Sequence, residues 1–271
     1  MELFEPTAAS AEVATYGERA QPRKGFFTDT TLCIGCKACE VACKEWNQLP
    51  ADGYAFTAQS YDNTGELNGT TWRHVAFVEQ PQKSRWLMES DVCKHCTHAA
   101  CLDVCPTGAL VRTEFGTVIV QEDVCNGCGY CVPACPFGVI DKRPEDGHVG
   151  KCTLCYDRLR DGETPACAKA CPTESIQYGD LDDLRRRADE RLEKVRADER
   201  FTDASLYLRG PDDGIGGAGA FFLLLDRPEV YGLPPDPVDT TRDLGKMWRR
   251  AAYAMAAIVG TIALCSVGPR A

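Results

Sequence analysis

Apolar and polar positions alternate from Thr71 to Glu79, with Trp72, His74, Ala76 and Val78 set against Arg73, Val75 and Phe77. That period predicts a strand with both faces at least partly covered. A second strand is expected over Arg85 to Met88. Gly108 to Thr113 and Thr117 to Gln121 read as a hairpin turning at Phe115-Gly116, and Phe221 to Leu225 as a strand. From Leu181 to Arg200 the period changes: Leu181, Leu184, Ala188, Leu192 and Val195 recur every three or four residues among arginines and acids, which predicts an amphipathic surface helix. Cys39 to Trp46 is expected to run as a helix, and Tyr156 to Gly162 as a helical turn ended by glycine. Ala251 to Val267 carries no charge. As a helix these 17 residues, six of them alanine, span about 25 Å, a little short of a hydrocarbon core of about 30 Å. They read as a single transmembrane helix docked on a partner, with a buried packing helix as the alternative. The stripe Ala252, Ala256 and Gly260 suits close contact with another membrane helix.

Composition adds one feature the periodicity does not show. The chain has 271 residues and 17 cysteines, sixteen of them in four tight runs. The second and third runs, Cys93, Cys96, Cys101, Cys105 and Cys125, Cys128, Cys131, Cys135, are each followed by proline, as ferredoxin runs are. The first is Cys33, Cys36, Cys39, Cys43, and the fourth Cys152, Cys155, Cys167, Cys171, whose middle gap of eleven residues marks an insertion. Disulfides belong to short secreted chains, and three cysteines at C-x-x-C-x-x-C crowd one side of a tetrahedral zinc. A [4Fe-4S] cube needs four thiolates from different directions, and the fourth cysteine of a run serves the neighbouring cube. The near repeat of Asp91-Val92-Cys93 in Asp123-Val124-Cys125 indicates an internal duplication. The expected fold class is α+β: two ferredoxin-like dicluster halves, one nested in the other, with loop insertions and the C-terminal transmembrane helix. Four cubes follow.

Nesting pairs the first run with the fourth and the second with the third. One cube takes Cys33, Cys36, Cys39 and Cys171, and its neighbour Cys152, Cys155, Cys167 and Cys43. The inner pair takes Cys93, Cys96, Cys101 and Cys135, then Cys125, Cys128, Cys131 and Cys105. His95 and His98 lie inside the second run, but four cysteines already complete its shell. Cys265 is expected as a small buried hydrophobe.

The remaining stretches divide the chain. Residues 1–24 read as an arm lying on another surface, with a disordered terminus as the alternative. Residues 25–180 form the four-cluster domain, in which 48–70 is a polar insertion. Residues 181–240 hold the helix, the strand and an extended Pro-rich linker, and 241–271 the anchor. Gly214 to Gly219 spells G-x-G-x-x-G but leads into a strand instead of a helix, so it reads as a flexible loop and not a nucleotide site. No constellation on the chain suggests a substrate-transforming centre. Net charge is −10, which disfavours nucleic acid as a partner. The first residues carry no export signal, so the expectation is a cytoplasmic chain or one exported bound to a partner.

The segments CIGCKACEVACKEWN (33–47), CNGCGYCVPACPFGV (125–139), KCTLCYDRL (151–159), PACAKACPT (165–173) and PEVYGLPPDP (228–237) resemble the four-cluster iron-sulfur subunits of membrane-bound molybdenum or tungsten oxidoreductases. They most resemble the beta subunit of respiratory formate dehydrogenases. The four runs alone specify the wider family; Lys44-Glu45-Trp46-Asn47, Tyr231-Gly232-Leu233-Pro234 and Val267-Gly268-Pro269 narrow it. The resemblance implies an electron-transfer subunit without a catalytic site of its own, working with a molybdenum- or tungsten-pterin catalytic subunit and a cytochrome b type or related membrane subunit that reduces quinone. The same module in a different reductase or a hydrogenase is the alternative. The resemblance places the globular part outside the cytoplasm, whereas Lys246, Arg249 and Arg250 before the helix place it inside by the positive-inside rule. One tail helix is a weak orientation signal for a folded domain exported with a partner, so the expectation is a single-pass anchor in the cell membrane with the globular part extracytoplasmic.

Overall fold

The computed structural model describes residues 21–51, 53, 58 and 61–267. Residues 1–20 of the expected arm, part of the 48–70 insertion, and the Gly268, Pro269 and Arg270 of the expected anchor lie outside them.

The longest apolar runs meet in one sheet. Strands β1 (Lys24–Asp29), β8 (Ile176–Asp180), β9 (Ser205–Tyr207) and β10 (Ala220–Leu224) lie in the order β8-β1-β10-β9. The central pair β1 and β10 is parallel and its two flanks are antiparallel. Every residue of β10 and all but the first of β1 are buried, as a sheet covered on both faces requires. Phe27 stacks on its register partner Phe221 with ring centroids 5.2 Å apart. The long helix Leu181–Arg196 packs Leu181, Leu184, Ala188 and Val195 into this core, as its apolar spacing predicted.

Three two-stranded hairpins complete the strand content: β2 (Arg73–Gln80) with β3 (Arg85–Val92), β4 (Leu110–Arg112) with β5 (Val118–Val120), and β6 (Asp141–Lys142) with β7 (Val149–Gly150). The first two fall where strands were expected, although β3 runs on to Val92, past the expected end at Met88. In chain order the helices are α1 (Ala38–Asn47), α2 (Ala100–Asp103), α3 (Cys131–Ala134), α4 (Tyr156–Arg160), α5 (Ala166–Lys169), α6 (Leu181–Arg196) and α7 (Leu244–Val267). Gly162 stands in the left-handed region just past α4, as expected of a terminating glycine.

Two segments read as loose are built in. The glycine-rich loop is pinned to the second cysteine run: Thr97 N–H donates to the Gly217 carbonyl and His98 N–H to that of Ile215, a wholly buried residue. A Cβ on Gly216 would lie 2.2 Å from the His98 ring, so the loop is glycine because a histidine occupies the space. The Pro-rich stretch forms a 3₁₀ turn over Pro228–Tyr231, buries Tyr231 and Leu233, and takes a 2.5 Å hydrogen bond from the Tyr207 hydroxyl to the Pro234 carbonyl. It is a strap across the sheet. The described end of the arm also has a seat. Gln21 and Lys24 N–H groups donate to the carbonyls of Glu114 and Phe115 at the β4–β5 turn.

The C-terminal transmembrane span expected from sequence finds no support in the fold. Among the described residues no helix is long and apolar enough to cross a membrane. In its place α7 runs for 24 residues with Trp248, Tyr253, Met255, Ile258, Val259 and Ile262 exposed. Cys265 is exposed as well, contrary to expectation. The uncharged stretch is short and alanine-rich, and the helix stands clear of the chain's own core.

Asp29, at the end of β1 just before the first cysteine run, is completely buried. It accepts from the N–H and hydroxyl of Thr31 and from Arg191 Nε on α6 at 2.8 Å. Arg191→Ala leaves the carboxylate its Thr31 donors but no cation. The expected loss is about 2–3 kcal/mol, below the roughly 3–5 of a wholly buried pair. Thermal unfolding of the purified complex should show it as a lowered midpoint that Arg191→Lys partly restores.

Candidate cofactor sites

The first run sits on a loop whose shape its glycine permits. A turn from Asp29 to Cys33 leads into Gly35, which is left-handed (φ 66°) and lies so close beneath Phe77 that a Cβ would sit 2.5 Å from that ring. Then α1 begins. Cys39 and Cys43, one turn apart, share its buried face with Glu40. Glu40 accepts the Val75 N–H of β2 at 2.5 Å, which fixes the helix against the first hairpin.

Four groups of thiols result. Cys33, Cys36 and Cys39 line a cavity together with Cys171, which arrives from the far end of the chain just before β8. Cys43 lies in mutual electrostatic reach of Cys152, Cys155 and Cys167, with α1 packed on α5. A second cavity has Cys93, Cys96, Cys101 and Cys135 in its lining. Cys131 stands beside Cys105, Cys125 and Cys128. In each group three thiols come from one run and one from its partner run. Groups also neighbour one another in order: Cys39 lies near Cys167, Cys152 near Cys93, and Cys101 near Cys131. Of the sixteen, Cys36 and Cys128 are exposed, and they belong to the first and last groups of this row.

Burial and repulsion act together on these thiols. Burial first, then neighbouring cysteines, push Cys155 and Cys131 up to about 11. Burial drives Cys39 up to about 12 against the Arg73 charge, and Cys101 up to about 12 against that of Lys151. Cys43 and Cys96 go well above the ordinary thiol range. Cys105 differs, because N–H groups of Leu110, Thr107 and Ala109 and the Thr107 hydroxyl outweigh its burial and lower it. Thr173 stands 3.8 Å from Cys171 as Thr107 stands 3.7 Å from Cys105, each two residues after its cysteine. Buried thiols this hard to ionise become thiolates when a metal site repays the charge, and soft sulfur donors suit iron-sulfur clusters. Among the described residues no group of three or more His, Cys, Asp or Glu side chains is gathered for a single metal ion. Each of the two cavities brings four thiols together, a soft donor set that fits a cube of iron and sulfide.

Three cations near the thiols escaped the sequence reading. Arg73, Lys94 and Lys151 are all but inaccessible to solvent. Lys94 pairs with Asp91, donates to the Val92 carbonyl at 2.9 Å, and faces the rings of Phe137 and Phe222; Lys151 donates to the carbonyls of Val118 and Cys152. Both lysines line the second cavity. A signal was present, since Lys94 directly follows Cys93 and Lys151 directly precedes Cys152. Arg73 had none, because its place in an alternating strand looked like any other. His95 is wholly buried, and its Nδ1 accepts the Val118 N–H at 3.1 Å, so it braces the loop against β5.

Two family models, each described as a 4Fe-4S dicluster domain, match residues 84–181 and 32–109. Among curated proteins the chain is 39% identical over 247 residues to the formate dehydrogenase iron-sulfur subunit of Haemophilus influenzae, a match covering 88% of this chain and 77% of the relative. It is 40% identical over 236 residues to the iron-sulfur subunit of the nitrate-inducible formate dehydrogenase of Escherichia coli, covering 84% and 78%. The B subunit of the anaerobic dimethyl sulfoxide reductase of Escherichia coli is 39% identical over 163 residues, 60% of this chain and 76% of that one. With its thiols gathered in fours and its likeness extending over most of both chains, the protein belongs to the family of formate dehydrogenase iron-sulfur subunits.

Proposed function

We propose that this chain is the electron-transfer subunit of a formate dehydrogenase, passing electrons from a molybdenum- or tungsten-pterin catalytic subunit toward a membrane subunit that reduces quinone. The observation that carries the reading is the row of four thiol groups with an exposed thiol at each end. The extent of likeness favours formate over the sulfoxide reductases: the formate subunits match 84–88% of the chain, the reductase subunit 60%.

Each group of four cysteines holds one [4Fe-4S] cluster. A cluster of this kind takes up and releases one electron at a time, at a potential set by charge, hydrogen bonds to sulfur and solvent exposure. The chain's own residues do the rest. Cys33, Cys36, Cys39 and Cys171 form one end of the row, and Cys105, Cys125, Cys128 and Cys131 the other. Between them stand Cys43 with Cys152, Cys155 and Cys167, and Cys93 with Cys96, Cys101 and Cys135. Burial of Cys43, Cys152, Cys155, Cys167 and Cys93 keeps water from the middle of the row, and the buried cations offset the charge of the thiolates. Thr240 and Thr241 hydrogen-bond to the Ala134 carbonyl and to Asp103, so the root of α7 is tied to the helices carrying Cys131 and Cys101. This supports the last group as the exit, beside a membrane partner whose helices cover the exposed apolar side of α7. The first group is then the entry, facing the catalytic subunit.

Formate added to the purified complex should bleach the visible absorbance of the chain and bring up the paramagnetic signals of reduced clusters. Full reduction by dithionite with no response to formate would move the chain to a different donor. Substituting Cys171 by serine should disturb the same cluster signal as Cys33→Ser, and Cys43→Ser the same signal as Cys152→Ser. Cys43→Ser and Cys33→Ser acting on one signal would refute the pairing. Truncation after Lys246 should release a soluble complex that retains all its iron and loses electron transfer to quinone; continued sedimentation with membranes would place the attachment elsewhere.

A further inference from the structure

Arg73 is the largest of the fully buried side chains and occupies the boundary between the first two thiol groups. Its Nη1 donates to the Ser90 carbonyl at 3.0 Å and to the Ser90 hydroxyl at 3.2 Å, and that hydroxyl lies 3.3 Å from Cys39 Sγ. Its Nη2 reaches Cys167 Sγ at 3.4 Å. The guanidinium lies 4.9 Å from the centroid of the Phe26 ring, and Nε, fully buried, has no partner. A continuous polar path therefore runs Cys39, Ser90, Arg73, Cys167. It joins a cysteine of one group to a cysteine of the next.

A cation without water is costly unless anions answer it. Here the direct partners are a carbonyl, a hydroxyl, an aromatic face and sulfur. The buried Glu89 carboxyl within electrostatic reach is itself held well above the ordinary carboxylate range by burial, so the compensating charge falls mainly to the thiolates. Burial works against the Arg73 charge, but Cys167, Cys39, Cys152 and Cys43 outweigh it. We propose that Arg73, braced by Ser90, is a positioning residue that sets the reduction potentials of two neighbouring clusters at once, those held by Cys39 and by Cys167. Each cluster with its four thiolates is anionic, and reduction adds a further negative charge. A fixed cation between two such sites favours the reduced form of both and weakens their mutual repulsion. When one electron passes between them, one site is oxidised and the other reduced by one unit. No proton needs to move, since guanidinium stays charged throughout. Arg73 thus raises the two potentials together.

The inference rests on the four-cluster reading, and the test separates the two. Iron and sulfide are counted in the purified complex, and each cluster's midpoint is followed by paramagnetic resonance during redox titration. Fewer than four clusters on the wild-type chain would defeat the parent reading whatever Arg73 does. In Arg73→Gln two of the four midpoints should fall by at least the tenfold change in equilibrium constant that equals about 59 mV for one electron, while the other two stay put. Arg73→Lys, which keeps the charge but not the fork, should shift the same two by less. Four unmoved midpoints, or equal shifts in the lysine and glutamine variants, would overturn the proposal. If the glutamine variant does not assemble, Ser90→Ala decides: it should lower the midpoint of the Cys39 site alone, and no shift there would overturn it.

Discussion

Thiolates must converge in fours, away from water, while remaining charged, and most of this molecule answers that demand. Burial raises the cost of ionising Cys39 and Cys101 and every neighbouring sulfur raises it further. The chain offsets the cost in two ways. At the edges it aims backbone N–H groups and threonine hydroxyls at sulfur, as around Cys105. In the middle it buries cations that would be prohibitive anywhere else, Arg73, Lys94 and Lys151.

That demand also explains why the core takes the form it does. A cysteine loop is short of regular hydrogen bonds and cannot hold itself open around a metal site. Each loop is therefore fastened to something regular: the first to β2 through Glu40 and Val75, the second to the glycine-rich loop through Thr97 and His98, and to β5 through His95. The mixed sheet is the common frame. It brings together strands from residues 24–29, 176–180, 205–207 and 220–224, and thereby sets Cys171 opposite Cys33. Function depends on this closure, because thiols so far apart in the chain make a site only when both ends of the fold are joined.

The ends of the row suit a subunit that works between others. Cys36 and Cys128 are exposed in the groups furthest apart, and α7 leaves the body beside the group that contains Cys128. An apolar helix face left bare on one chain is the mark of a surface completed by another.

Much of this was legible beforehand because local physics carries it. The spacing of cysteines identified the chemistry, alternation located β2, strand and turn composition located the β4–β5 hairpin, and the helical period located α6, since each depends on neighbours in sequence. Ser90 and Arg73 could not be recognised this way: their importance comes from sulfurs 51 and 94 residues distant that only folding arranges around them. The loop at Gly216 and the strap at Tyr231 looked loose because glycine and proline report backbone freedom, and the contacts that remove that freedom are made by His98 and Tyr207 far away in the chain. The pattern of α7 likewise recorded an apolar face without saying what would cover it. Sequence by itself determined the kind of ligand and the number of clusters, because residue type and spacing are covalent facts. Tertiary structure decided the order of the sites and the charges between them, because both are distances through space.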